Sequence, residues 1–137
     1  MGKQRTGDAG SGPSALHRLG RVLLASQFVY GGYGAAKDAG PRPKALERAG
    51  MPGGENLVRL NGAAMVLGGV ALALGIKPRA AAIGLAASLI PTTVVGHGFW
   101  RETEPPARAG QTIQLMKNTS MLGGLVLELA ATPSRGS

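Results

Sequence analysis

Most of the side chains in this chain that could do chemistry lie within a short stretch. His97 and Trp100 are followed by Gln111, Gln114, Lys117 and Asn118. An imidazole exchanges protons near neutrality, so His97 could donate a proton or contact a quinone carbonyl. Taken alone it reads as structural; beside Trp100 and facing Lys117-Asn118 it reads as functional. Helical spacing puts Thr93, His97 and Trp100 on one face, and Gln114, Asn118 and Met121 on another. Arg59 and Lys117 fall in the first turns of apolar segments, where the helix dipole disfavours a cation by roughly 0.3–1 kcal/mol. Positive side chains beside free N–H groups form an anion site. Glu55, Glu102, Glu104, a lipid phosphate or a bound oxyanion is therefore expected there. The competing reading is that Arg59 and Lys117 snorkel to head groups.

The elements that must position these groups are four apolar segments, at about 19–36, 57–76, 80–98 and 112–131. Each approaches the roughly 20 residues needed to cross a bilayer core. The reading is an all-α, polytopic membrane protein built as an up-down bundle of four transmembrane helices. In that topology Lys37, Arg59, Asn61, His97, Trp100, Gln111, Gln114, Lys117 and Asn118 reach one face of the membrane. Gln27, Tyr30, Gly34 and Lys37 share a stripe on the first helix that is expected to turn inward. Pro91 frees the carbonyl of Ala87 and predicts a kink, eased by Thr92 or Thr93. At the opposite end Glu128 and Arg21 belong at similar depth, which predicts a structural ion pair.

Residues 1–15 and 132–137 are polar and rich in Gly, Ser and Pro, so both tails are expected to be disordered around a membrane domain of 16–131. The connection between the first two segments has room for a surface helix at about 44–49, and Lys77-Pro78-Arg79 is a tight hairpin. The chain has no Cys, which excludes thiol–disulfide chemistry and thiolate metal or iron–sulfur ligation by the chain itself. Two His do not make a zinc site, so no metal is expected. The net charge of +8 is spread over segment ends without an aromatic run, which argues for anionic lipid and against nucleic acid. Basic residues near Arg18, Arg21, Lys77 and Arg79 favour cytoplasmic termini.

Four pieces carry a resemblance. They are Gly31-Gly-Tyr-Gly-Ala-Ala-Lys37, Arg59-Leu-Asn-Gly62, Leu74-Gly-Ile-Lys-Pro-Arg79, and His97-Gly-Phe-Trp100 with Gln114-Leu-Met-Lys-Asn-Thr-Ser-Met-Leu-Gly-Gly124. Over about residues 16 to 131 the chain resembles the DoxX family of small bacterial four-helix membrane proteins. The resemblance implies a place in the bacterial plasma membrane and a link to quinone-reducing sulfur oxidation or oxidative-stress defence. It also implies Lys37, Arg59, His97, Trp100, Lys117 and Asn118 as the functional set. The expected role is a membrane subunit of a redox system, with a basic pocket for a quinone head group or sulfur oxyanion and a partner protein supplying the electron-transfer centre. A scaffold for soluble detoxifying enzymes, and lipid or small-solute handling, are the alternatives.

Overall fold

The protein is described from a computed structural model, which covers residues 12–96 and 99–133. His97, most of the expected N-terminal tail and residues 134–137 lie outside the described residues. Five α-helices follow one another: α1 (Ala15–Lys37), the short α2 (Arg42–Arg48), α3 (Gly54–Leu74), α4 (Pro78–Gly96) and α5 (Pro105–Ala131), with one 3₁₀ turn at Phe99–Arg101. Among the described residues there is no strand.

Three of the boundaries that differ from expectation have a local reason. α1 begins four residues early because the Ser14 hydroxyl accepts from the His17 backbone N–H at 3.2 Å, a side-chain N-cap. α5 begins seven residues early. Pro105 and Pro106, expected in a loop, occupy its first turn, where a missing N–H costs nothing and the fixed φ suits a helix. α3 stops at Leu74 because Gly75 takes a left-handed φ of +71°. The Ile76 and Gly75 amides then donate back to the carbonyls of Ala71 and Leu72, which closes the helix end.

Packing sets the directions. Gly32 of α1 and Gly62 of α3 face each other so closely that a Cβ on either would lie 2.6 Å from the other's carbonyl oxygen. The backbones therefore touch, as small residues allow in helices packed without large side chains. Nearer the other end Gly69 meets Val29 and Ala25, so the two helices run antiparallel. Leu85 of α4 fills the space over Gly68 of α3, and Asn118 of α5 bonds Thr93 of α4. Leu24 of α1 lies over Gly124 of α5. A core of Ala25, Phe28, Met65, Leu72, Leu85 and Leu125 fills the centre. The outer surface is apolar as well: Leu60, Leu67 and Leu74, spaced by seven on α3, are all exposed. An apolar exterior of that extent needs a non-aqueous surrounding or a partner.

The first-helix stripe is corrected by this packing. Tyr30 is 80% exposed and Lys37 is exposed, while the buried face carries Arg21, Ala25, Phe28, Gly32 and Ala35. The close approach at Gly32 decides the rotation of α1, and the Tyr30 face is turned outward as a result. Pro91 lies inside α4 as expected. The Thr92 and Thr93 hydroxyls take the carbonyls of Ser88 and Leu89, and not that of Ala87.

Candidate functional site

The polar side chains gather in four places, three at one end of the long helices and one at the other. The first is a network between α3 and α4. Asn61 Nδ2 donates to Thr92 Oγ1 at 3.3 Å, Ser88 Oγ donates to Asn61 Oδ1, and Thr92 donates on to the Ser88 carbonyl. Every member has a partner, so the amide is held without strain on the apolar interior. The sequence reading assigns Thr92 a part in easing the Pro91 kink, but not its i,i+4 pairing with Ser88 opposite Asn61.

Beside it, Asn118 of α5 is buried, and its Nδ2 donates to Thr93 Oγ1 at 3.0 Å, with Thr93 bonded in turn to the Leu89 carbonyl. This pair contributes polar groups to a cleft of about 190 Å³ between α4 and α5, lined otherwise by Leu89, Ile90, Val94, Thr119 and Leu122. The amide has hydrogen-bonding capacity left over, because Thr93 is its only partner among the described residues. Trp100 stands beyond the cleft on the 3₁₀ turn, 54% exposed, in edge contact with Phe99 and with the Arg101 guanidinium 5.8 Å from its ring.

The cations divide differently from expectation. Arg59 binds Glu55 through Nε and Nη2, at 3.1 and 2.9 Å, and donates Nη1 to the carbonyls of Ala36 and Lys37 at 2.9 and 3.0 Å. The acid expected beside it is thus Glu55, and the guanidinium caps the C-terminus of α1. Lys37 contributes its carbonyl to this cap, and its exposed side chain has no partner among the described residues. Lys117 and Gln114 are half-buried on α5 and have no hydrogen-bond or ion-pair partner among the described residues. Above this end α2 folds back on α3, with Leu46 packed on Ala39 and Val58.

At the far end Glu128 is buried between Arg21 and His17. Arg21 Nε and Nη2 reach its Oε1 at 2.9 and 2.7 Å, and His17 Nε2 lies 2.6 Å from Oε2. Arg79 closes the same end by donating to the carbonyls of Leu129 and Thr132. His17 was not paired with Glu128 from sequence; its i,i+4 spacing from Arg21 is the signal that places both on one face of α1.

The residues expected to form one pocket therefore stand in separate groups. Asn61 belongs to the α3–α4 network, Asn118 to the α4–α5 cleft and Arg59 with Lys37 to a helix cap, while Lys117 and Gln114 stand on α5 outside all three.

Apolar helices with buried amide networks, an apolar outer surface and a carboxylate neutralised inside define a small helical membrane protein. Among the described residues, α3 and the stretch Pro78–Arg101 that contains α4 are long and apolar enough to cross a bilayer. The chain belongs to the DoxX family, whose model matches residues 16–98, more than half of its length. That match takes in the first three sequence pieces and stops short of Gln114–Gly124, so the α5 residues are read from geometry alone. No curated protein and no solved structure matches the chain.

Proposed function

We propose that the chain threads the bilayer four times, with both termini on the cytoplasmic side, and serves as the membrane subunit of a redox system. Its cleft between α4 and α5 takes a quinone head group. The observation that carries this reading is the buried Asn118, bonded to Thr93, in a cleft lined mainly by apolar side chains. A quinone offers a flat apolar ring edged by carbonyl oxygens. The free donor of the Asn118 amide suits one such oxygen, and Leu89, Ile90 and Val94 suit the ring. The volume admits a single ring, which leaves an isoprenoid tail in the surrounding lipid. His97 follows α4 by one residue, and its imidazole is the proton source of this proposal. Electrons come from a partner protein, for which α2 and the exposed connection around Trp100 are the available surfaces.

The test uses the chain's own fluorophore, since Trp100 is its single tryptophan. A short-chain benzoquinone should quench its emission saturably in detergent. Asn118→Leu, which keeps the volume and removes the donor, should weaken the apparent affinity about tenfold, the worth of one buried hydrogen bond. His97→Ala should abolish the saturable component. Quenching that rises linearly with quinone and ignores both substitutions would refute the reading.

A further inference from the structure

The cleft between α4 and α5 holds more hydrogen-bond acceptors than donors. Thr93 donates its hydroxyl proton to the Leu89 carbonyl at 2.8 Å. Thr119, which also lines the cleft, donates its own to the Leu115 carbonyl at 2.9 Å. Main-chain N–H groups inside an α-helix are spent on carbonyls four residues back. With its proton committed, Thr93 Oγ1 can only accept from Asn118, so the orientation of the amide is decided: Nδ2 meets Thr93 at 3.0 Å, and Oδ1 is left over. Asn118 is only 5% exposed, and Oδ1 has no partner among the described residues. Every fully sealed side-chain nitrogen or oxygen among those residues has one. Oδ1 is therefore not sealed, and the opening through which Asn118 is reached is the cleft it lines.

What remains for a ligand is one N–H of Asn118 together with the lone pairs of Asn118 Oδ1 and Thr119 Oγ1. A quinone carbonyl oxygen only accepts. It satisfies the N–H and leaves Oδ1 facing a group that cannot donate. The quinol form, richer by two electrons and two protons, carries an O–H where each carbonyl stood, and a hydroxyl both donates and accepts. A buried polar group left unpaired is costly, and a site that meets a hydroxyl discriminates against the analogue lacking it. Leu89, Ile90, Val94 and Leu122 serve the ring alike in both forms, so the polar atoms decide between them.

We infer that Asn118 makes the cleft selective for the reduced carrier: a quinol hydroxyl donates to Asn118 Oδ1, and a quinol oxygen accepts the remaining Nδ2 hydrogen. Asn118 is thus the residue that distinguishes the two redox forms. The selectivity is an equilibrium property of binding and contains no chemical step. By linkage, each tenfold of tighter quinol binding raises the midpoint potential of the bound two-electron couple by about 30 mV, which favours reduction of quinone held there. The inference rests on the proposed quinone reading of the cleft and deepens it by assigning the form that the cleft prefers.

Anaerobic equilibrium dialysis of the full chain in detergent would compare a short-chain benzoquinone with its benzoquinol, the latter kept reduced by ascorbate. The chain has no Cys, so the reductant leaves the protein itself unchanged. The wild type should hold the quinol about tenfold more tightly than the quinone, in keeping with one added hydrogen bond. Asn118→Leu should bring that ratio to about one. Thr93→Val keeps the side-chain shape and returns a second Asn118 N–H to the cleft. It should lower the ratio by strengthening quinone binding, an effect that a loosened fold would not produce. Ser120→Ala, which alters α5 outside the cleft, should keep the ratio. A wild-type ratio of one or less overturns the selectivity and leaves quinone binding standing. So does a ratio that survives Asn118→Leu or Thr93→Val, or one that is lost in Ser120→Ala. Absence of saturable binding by either form overturns the quinone reading itself. Displacement of the quinol by diacylglycerol, a hydroxylated lipid without a ring, at similar concentration overturns the quinol as occupant.

Discussion

Glu128 shows how much a single buried carboxylate can organise. It joins His17, Arg21 and the end of α5, and both Arg21 and Glu128 are more than nine-tenths buried. Glu128→Ala strands the Arg21 guanidinium in an apolar interior. The expected cost is about 3–5 kcal/mol, read as a lower thermal midpoint in detergent. Replacing both partners, as Arg21→Met with Glu128→Leu, should recover most of that loss, because the desolvation of both charges disappears with them. Recovery that fails would show that the pair stabilises by more than mutual neutralisation. The facing of Arg21 and Glu128 was foreseeable from depth alone, since each is the lone charge of its sign well inside an apolar segment. His17 was not, because its side chain follows a Gly- and Ser-rich leader whose composition masks the helix start at Ser14. Arg59 was legible as a cation that needs an acid, but sequence could not say that α1's own carbonyls would share it.

At the scale of elements, glycines separate into those that set contacts and those that set nothing. A Cβ on Gly62 would meet the Gly32 carbonyl at 2.6 Å and the Ala36 amide at 2.7 Å, both backbone atoms that cannot yield. Gly62→Val should push α1 and α3 apart and lower the thermal midpoint severely. A Cβ on Gly84, by contrast, meets nothing within 4 Å. Gly84→Ala should leave the fold intact and raise its stability by up to about 1 kcal/mol, the backbone entropy recovered in a helix interior. The sequence ranks these positions alike, because composition does not show which way a helix is turned. The same blindness explains the misassigned Tyr30 stripe. Periodicity groups Gln27, Tyr30, Gly34 and Lys37 correctly, yet only the Gly32–Gly62 approach fixes which face looks inward. Segment existence and order were readable from hydropathy, whereas the early start of α5 was hidden by a Pro-Pro pair that serves equally as a loop or a first turn.

At the scale of the whole molecule, antiparallel neighbours bring the α1–α3 and α4–α5 connections to the same end. With no native cysteine to remove, single-cysteine labelling is direct. Lys44→Cys and Glu104→Cys should react with an impermeant maleimide from one side of sealed vesicles, and Lys77→Cys from the other. Labelling of Lys44→Cys and Glu104→Cys from opposite sides would dissolve the grouping of Asn61, Asn118 and Lys117 in one layer. α1 meets α5 at the Glu128 end, through His17, Arg21 and Leu24, and this unequal closure has a mechanical result. Two rods clasped at one tip behave as tongs, with the carboxylate clasp as pivot and the jaws free to spread. Loosening the pivot should be felt at the jaws: spin labels on Gly31→Cys and Gln114→Cys should report a broader distance distribution once Glu128 is replaced, while the welded α1–α3 seam keeps its width.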